Sequence, residues 1–302
     1  MFVIKYRKIF YIFSIITILI SVASLAVWGL NEGIDFKGGT LIQITYTDAR
    51  PQSALVQQEI SSIDSKASVR SSGNSDFIIR TRNLSEDEHV AIMNALTQNG
   101  AVKLTVDTYD TIGPILGSEL RGKALMAIVF VIIAIVLFIT FAFRKVSEPV
   151  SSWIYGFIAI IALIHDVVVP VGVFSILGHF KGFEIDTLFV TAILVILGFS
   201  IHDTIVVFDR TRENLRINRE KNKKEDFADT VGRSVGQTFT RSINTSLTVV
   251  LTLLVLYFVG SSTTKDFSLT LLVGIIAGTY SSIFLASPLL VTIAKWQDKK
   301  GK

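Results

Sequence analysis

Six apolar runs, at 9–30, 123–143, 150–177, 185–208, 241–260 and 267–294, are near or above the roughly 20 residues that carry a helix across a bilayer. In hydrocarbon every backbone N–H and C=O must find a partner within the protein, so runs of this length fold as helices. The pattern predicts a polytopic α-helical membrane protein with one helix, a long polar interval, and then five more. Composition agrees: 50% of the residues are hydrophobic and only 18% charged, too apolar for an ordinary soluble enzyme. The first run exceeds the roughly 7–15 apolar residues of a cleaved signal peptide, which predicts a retained anchor.

The basic residues decide orientation. Lys5, Arg7 and Lys8 fall on one side together with Arg144 and Lys145, a basic loop over 209–240, and Lys295, Lys299, Lys300 and Lys302. The opposite short loops offer only Lys181 and Lys265, so both termini are predicted to be cytoplasmic. Orientation accounts for the net charge of +4, and for Arg210, Arg212, Arg216, Arg219, Lys221, Lys223 and Lys224, without a nucleic-acid partner. Cysteine is absent, which excludes disulfides and thiolate metal sites. His89 and His179 have no companions at metal-ligand spacing, so no metal site is expected.

The predicted organisation is an N-terminus and anchor over 1–30, an extracytoplasmic domain over 31–120, five helices over 121–294 and a basic tail over 295–302. Within the domain, Ile42, Ile44 and Tyr46 alternate along a strand over 40–47. Arg50-Pro51 opens a helix in which Val56, Glu59, Ile60 and Ile63 compete with Leu55, Gln58 and Ser62 for the buried face. Strands over 67–71 and 76–82 flank the turn signal Ser72-Gly73-Asn74. Ser85 and Glu88 form a capping box ahead of a helix whose face is Val90, Met93 and Leu96 and which ends at Asn99-Gly100. Val102, Leu104 and Val106 alternate in a last strand. The order β-α-β-β-α-β predicts a small α+β, ferredoxin-like domain, which by itself assigns no activity.

Chemistry is concentrated in the membrane runs. The third carries His165-Asp166 and the fourth His202-Asp203. Carboxylates in hydrocarbon must face protein or water, and proton relays are a usual use for them, with helix packing as the alternative. Pro170 removes the hydrogen bond to the Asp166 carbonyl, which predicts a bend at that acid. The fifth run opens with Arg241 and continues with Asn244, Thr245, Thr248 and Thr252 at three- and four-residue steps, a polar stripe on one face. Arg241 and Asp203 are expected to meet as a switchable ion pair, unless Arg241 snorkels to the interface. In the sixth run Gly274, Gly278 and Ser282 make a small-residue ridge for close helix approach. The segment Gly33-Ile34-Asp35-Phe36-Lys37-Gly38-Gly39-Thr40 lacks the spacing and context of a nucleotide loop. It is read as a backbone junction in which glycines supply positive φ and Asp35 accepts local N–H bonds.

Three segments together carry a family resemblance: Gly33-Ile34-Asp35-Phe36-x-Gly38-Gly39-Thr40, Leu163-Ile164-His165-Asp166-Val167, and Asp203-Thr204-x-Val206-Val207-Phe208-Asp209-Arg210-x-Arg212-Glu213-Asn214. With the order helix, outside domain, five helices, the chain resembles the SecF family of bacterial protein export, within the resistance-nodulation-division superfamily. The resemblance implies a multi-pass protein of the bacterial cytoplasmic membrane that is not an enzyme. It also implies a pseudo-symmetric partner SecD, association with the SecYEG channel and translocating preprotein, a lipid surround, and use of the proton gradient in place of a cofactor. By motif position Asp203 and Arg241 correspond to the intramembrane acid and base of proton conduction. His202 stands where the family often has Asn, and Lys37 where a small hydroxyl residue is common. Two other readings follow from acids in a membrane protein: an intramembrane aspartyl protease built on a carboxylate dyad, and a proton-driven small-molecule exporter.

Overall fold

The computed structural model describes residues 2–48, 50–73, 75–142 and 150–300, without the side chains of Ser72, Ser152, Ser262, Thr263 and residues 298–300. Asn74 of the predicted turn, the orienting residues Arg144, Lys145 and Lys302, and the side chains of Lys299 and Lys300 lie outside that description. The chain divides into a helical unit, Met1–Leu30, Ala127–Phe180 and Leu188–Lys302, and an α+β unit, Asn31–Met126 and Lys181–Thr187.

The helices begin with α1 (Phe2–Lys5) and α2 (Arg7–Trp28). After the polar interval come α6 (Pro114–Ala142), α7 (Ser152–Lys181), α8 (Thr187–Glu220), α9 (Phe227–Val259), α10 (Ser262–Tyr280) and α11 (Ser287–Lys300). A π-helical segment, Ser281–Ala286, joins α10 to α11. Among the described residues six spans are long and apolar enough to cross a membrane, the last running through the π segment as Thr264–Gln297. The predicted basic loop is mostly helix: α8 continues to Glu220 and α9 begins at Phe227, so 209–240 is a helical hairpin with a short turn. The helical core packs Tyr155, Ile158 and Leu163 of α7 against Leu197 and Phe208 of α8 and Leu290 of α11.

In the α+β unit α3 (Ile34–Lys37) leads into β1 (Gly39–Tyr46), followed by α4 (Ser53–Ser61), β2 (Ser68–Ser72), β3 (Asp76–Thr81), α5 (Glu86–Leu96) and β4 (Leu104–Ile112). The sheet order is β2-β3-β1-β4 with every neighbouring pair antiparallel, the arrangement a split βαβ unit produces. Ile42, Ile44 and Tyr46 of β1 and Phe77 and Ile79 of β3 meet Val56 and Ile60 of α4 and Ile92 and Leu96 of α5. The Ser85 capping box is formed, with Glu88 N–H donating to Ser85 Oγ and Ser85 N–H to Glu88 Oε2 at 2.9 Å. The buried face of α5 differs from the predicted one: Val90 is half exposed and Ile92 takes its place, because Ile92 is one helical turn from Leu96. In α4 the contest goes to Val56 and Ile60, while Leu55 faces outward. Strand β4 runs well past Val106, and its register against β1 shifts at Gln43/Ile44.

Lys181–Thr187, between α7 and α8, belongs to the α+β unit. Ile185 N–H donates to Asn31 C=O and Gly33 N–H to Ile185 C=O, forming a short bridge. Glu184 pairs with Arg80 of β3 at 2.8 Å, and the Arg70 guanidinium sits 3.8 Å over the Phe183 ring. A Cβ on Gly33 would come within 3.2 Å of both Glu184 Oε2 and the Ile185 carbonyl, so a side chain there would press on the bridge. Gly38 has φ +77, and a Cβ there would also crowd the Pro114 backbone at 2.8 Å. Asp35, predicted to accept local N–H bonds, has a distant partner instead. It accepts the Thr187 N–H at 2.9 Å and the Thr187 hydroxyl, and so places a carboxylate at the N-terminus of α8.

Candidate functional site

The two acids of the membrane runs lie in one bundle but in different surroundings. Asp166 of α7 is fully buried. Its Oδ1 is 2.8 Å from His165 Nδ1, and its Oδ2 accepts from the Ser200 hydroxyl of α8 and from the Ser281 hydroxyl at 2.7 Å. This one carboxylate therefore joins α7, α8 and the start of the π segment. His165 is equally buried, and its Nε2 has no hydrogen-bond partner in the described structure. Helix α7 continues unbroken through Pro170.

Asp203 of α8 is 3% exposed and is addressed from α9 by hydroxyls, Ser246 at 3.5 Å and Ser242 one turn earlier. Ser246 also accepts from Thr279 of α10 at 2.6 Å. Next to Asp203, Thr204 shares a 2.8 Å hydrogen bond with Ser282. Thr279, Ser281 and Ser282 thus serve three positions on neighbouring helices; Thr279 lies at the end of α10, and Ser281 and Ser282 open the π segment, a geometry frequent at functional sites. The predicted glycine ridge lets α10 come this close: Gly274 abuts Ile196 and Gly278 abuts Ser200.

Arg241 does not pair with Asp203 among the described residues; it is exposed, as is His202. The cause is helical phase. Ser242 and Ser246 occupy the buried face of α9, and Arg241, one residue earlier, is turned about 100° away. Asn244, Thr245, Thr248 and Thr252 share the exposed side, with the three threonine hydroxyls bonded to carbonyls four residues back at 2.8–3.0 Å. Asp166 and Asp203 share no hydrogen bond, so the described residues contain no carboxylate dyad of the kind an aspartyl protease uses.

The motif Asp209 to Asn214 serves the α8–α9 hairpin. Arg212 pairs with Asp209 at 2.6 Å, and Arg210 binds Glu213 at 2.5 Å and Gln237 at 2.7 Å. Asn214 donates to Ser234 and Gln237, both at 2.8 Å, and accepts from Arg233 at 2.9 Å. Arg233 also pairs with Glu225 at 2.6 Å, which in turn accepts from Asn218. Sequence reasoning passed over Arg233 and Glu225 because in sequence they look like solvated charges.

These features meet their relatives in the Protein export membrane protein SecD/SecF C-terminal family, which the chain matches over residues 91–296, and in the SecD/SecF GG motif over residues 23–49. The chain belongs to the SecF family. It is 41% identical to protein translocase subunit SecF of Thermobaculum terrenum, over 98% of this chain and 94% of that one. It is 39% identical to the SecF of Sebaldella termitidis, over 99% and 95%. The crystal structure of SecDF, a translocon-associated membrane protein, from Thermus thermophilus superposes with a TM-score of 0.81 at 30% identity. That match covers 98% of this chain and 38% of the longer SecDF chain. For this SecF-family chain the GG motif is the set of glycines just described, which receives the α7–α8 loop and the capped end of α8.

Proposed function

We propose that the chain is an accessory subunit of the Sec translocase in a bacterial cytoplasmic membrane, with both termini in the cytoplasm, and that it uses the proton gradient to assist late-stage translocation. The observation that carries the reading is Asp203, an acid nearly closed off inside a membrane bundle and held by hydroxyls, with no cation at ion-pair distance among the described residues. A hydroxyl donates to a carboxylate and accepts from a carboxylic acid, so both protonation states of Asp203 find partners, in different geometries. Protonation then shifts the population between two arrangements of α8 and α9. Asp166 plays the other part. Its carboxylate already takes three contacts, and it holds α7, α8 and the last span together while Asp203 switches.

Arg241, His202 and the stripe Asn244, Thr245, Thr248 and Thr252 are exposed on membrane helices, where polar groups face protein or water rather than lipid. A pseudo-symmetric SecD subunit supplies that cover, and SecYEG and the emerging preprotein complete the assembly. The test is export into membrane vesicles carrying the full chain with SecD. With Asp203→Asn, stimulation by the proton gradient disappears while ATP-driven export remains. Undiminished gradient stimulation in that variant would sink the reading.

A further inference from the structure

At one end of the helical unit, residues nearly 290 positions apart converge. Helix α1 is pinned by its buried Val3 and Ile4, which pack with Val207 of α8, Val231 of α9 and Val291 of α11. That anchorage brings Lys5, Tyr6, Arg7 and Lys8 beside Lys295 of α11, where Ile4 to Ile9 and Lys295 line a cavity of about 490 Å³. The apolar runs 9–30 and 267–294 begin and end next to this cavity, with Lys8 just before the first and Lys295 just after the last. Both ends lie where hydrocarbon gives way to headgroups.

Lys5, Arg7, Lys8 and Lys295 make no ion pair with an acid among the described residues. On the α8–α9 hairpin, by contrast, Arg210, Arg212 and Arg233 each have an acid at ion-pair distance. Beside these cations in the chain are the exposed aromatic side chains Phe2, Tyr6 and Trp296; Lys5 Nζ lies 5.5 Å from the Tyr6 ring, and Phe2 is tilted against Tyr6 at 4.9 Å and edge-on to Phe10 at 5.9 Å. Aromatic rings at this level sit among headgroups and acyl-chain ends, and a basic pocket between membrane helices fits an anionic lipid headgroup.

We propose that this cavity binds the phosphodiester headgroup of an anionic phospholipid, with Lys5, Arg7, Lys8 and Lys295 as its cationic lining and Phe2, Tyr6 and Trp296 against its upper acyl chains. The positive-inside effect alone would ask for cations anywhere along the short loops, whereas these are gathered round one concavity from both ends of the chain. Occupancy would also tie the first span to the last, because Lys295 and Arg7 would share one ligand.

The full chain, purified in detergent, is titrated with phosphatidylglycerol and phosphatidylcholine and read by native mass spectrometry for retained lipid. Phosphatidylglycerol is expected to be retained in preference and to be lost as salt is raised. Each of Lys8→Gln and Lys295→Gln weakens its retention about fivefold, the equivalent of about 1 kcal/mol per cation at a membrane surface. Lys295→Arg restores it. Unchanged melting temperature in these exposed-residue variants separates loss of lipid from loss of fold. Equal retention of the two lipids, or a Lys295→Gln variant that holds phosphatidylglycerol as the parent does, overturns the proposal. So does inorganic phosphate displacing the lipid at equal concentration, which would make the ligand a free anion. An acidic peptide that competes while the lipid does not would assign the patch to a protein partner and also overturn it.

Discussion

Asp203 Oδ2 accepts a hydrogen bond from the Ser246 hydroxyl at 3.5 Å, so the buried acid of α8 is joined to α9 by a neutral group. Ser246 is at the same time the acceptor for Thr279, which makes it the link between three helices. Ser246→Ala therefore strips a donor from a buried carboxylate and an acceptor from a buried threonine. The expected cost is about 1–3 kcal/mol, seen as a lower melting temperature of the purified chain. Thr248→Ala, on the exposed side of the same helix, should stay within about 0.5 kcal/mol of the parent. Equal effects of the two substitutions would remove Ser246 from the link.

Close helix approach gives a second expectation. A Cβ on Gly172 of α7 would stand 2.5 Å from the Cα of Ser21 in α2, and Ser24 donates to the Gly172 carbonyl at 3.1 Å. The obstruction is backbone, so it yields only if α2 and α7 separate. Gly172→Ala should cost about 1–3 kcal/mol as an overpacking change and lengthen a spin-label distance between α2 and α7. Gly122→Ala, whose Cβ meets nothing within 4 Å, should leave both unchanged.

What could be read from the sequence divides along physical lines. The spans were legible because length alone separates a membrane helix from a buried one. Ile42, Ile44 and Tyr46 were legible because a sheet with one buried face enforces alternation. The capping box was legible because its two partners are three residues apart. Inside the membrane this contrast fails: lipid and protein core are equally apolar, so nothing in α9 says whether Ser242 and Ser246 or Arg241 and Thr245 face the acids. The hydroxyls around Asp166 and Asp203 were hidden for that reason, although Ser282 stood out within the small-residue ridge. Asp35 was expected to cap locally and instead meets Thr187, 152 residues away, a pairing that local rules cannot reach. The π segment left no sequence mark of its own.

The α8–α9 hairpin supplies a pH prediction. Hydrogen bonding from Arg233, and then from Asn218, holds the Glu225 carboxyl down to about 2. A carboxyl lowered in the folded state adds stability above its ordinary value of 4.5 and loses it as pH falls towards about 2. The side chains of the pair keep some solvent contact, so Glu225→Gln should cost only about 1 kcal/mol at neutral pH. The difference in melting temperature between parent and variant should shrink as pH drops through that window. A difference that holds constant to the acid end would mean that the charge of Glu225 is not what stabilises the hairpin.

The pairing of Glu184 with Arg80 tests whether the Lys181–Thr187 loop is fastened to the sheet by charge or by its backbone bridge alone. Both side chains are largely buried, and burial pushes the Glu184 carboxyl up while Arg80 pulls it back. Glu184→Met alone leaves a buried guanidinium without its partner and should cost about 3 kcal/mol. The double variant Arg80→Met with Glu184→Met should cost less than the sum of the single changes, because neither charge is then stranded. Arg80→Met alone removes the counter-charge and sends the Glu184 carboxyl further up. A carboxyl raised in the folded state favours folding at low pH and weakens it as pH rises through the raised value, so the loop of this variant should be held more firmly in acid. Hydrogen exchange at the Ile185 amide, compared between parent and variant at each pH, reads the loop directly. Additive single costs, with an Ile185 amide equally protected in every variant, would leave the bridge to Asn31 and Gly33 as the fastening.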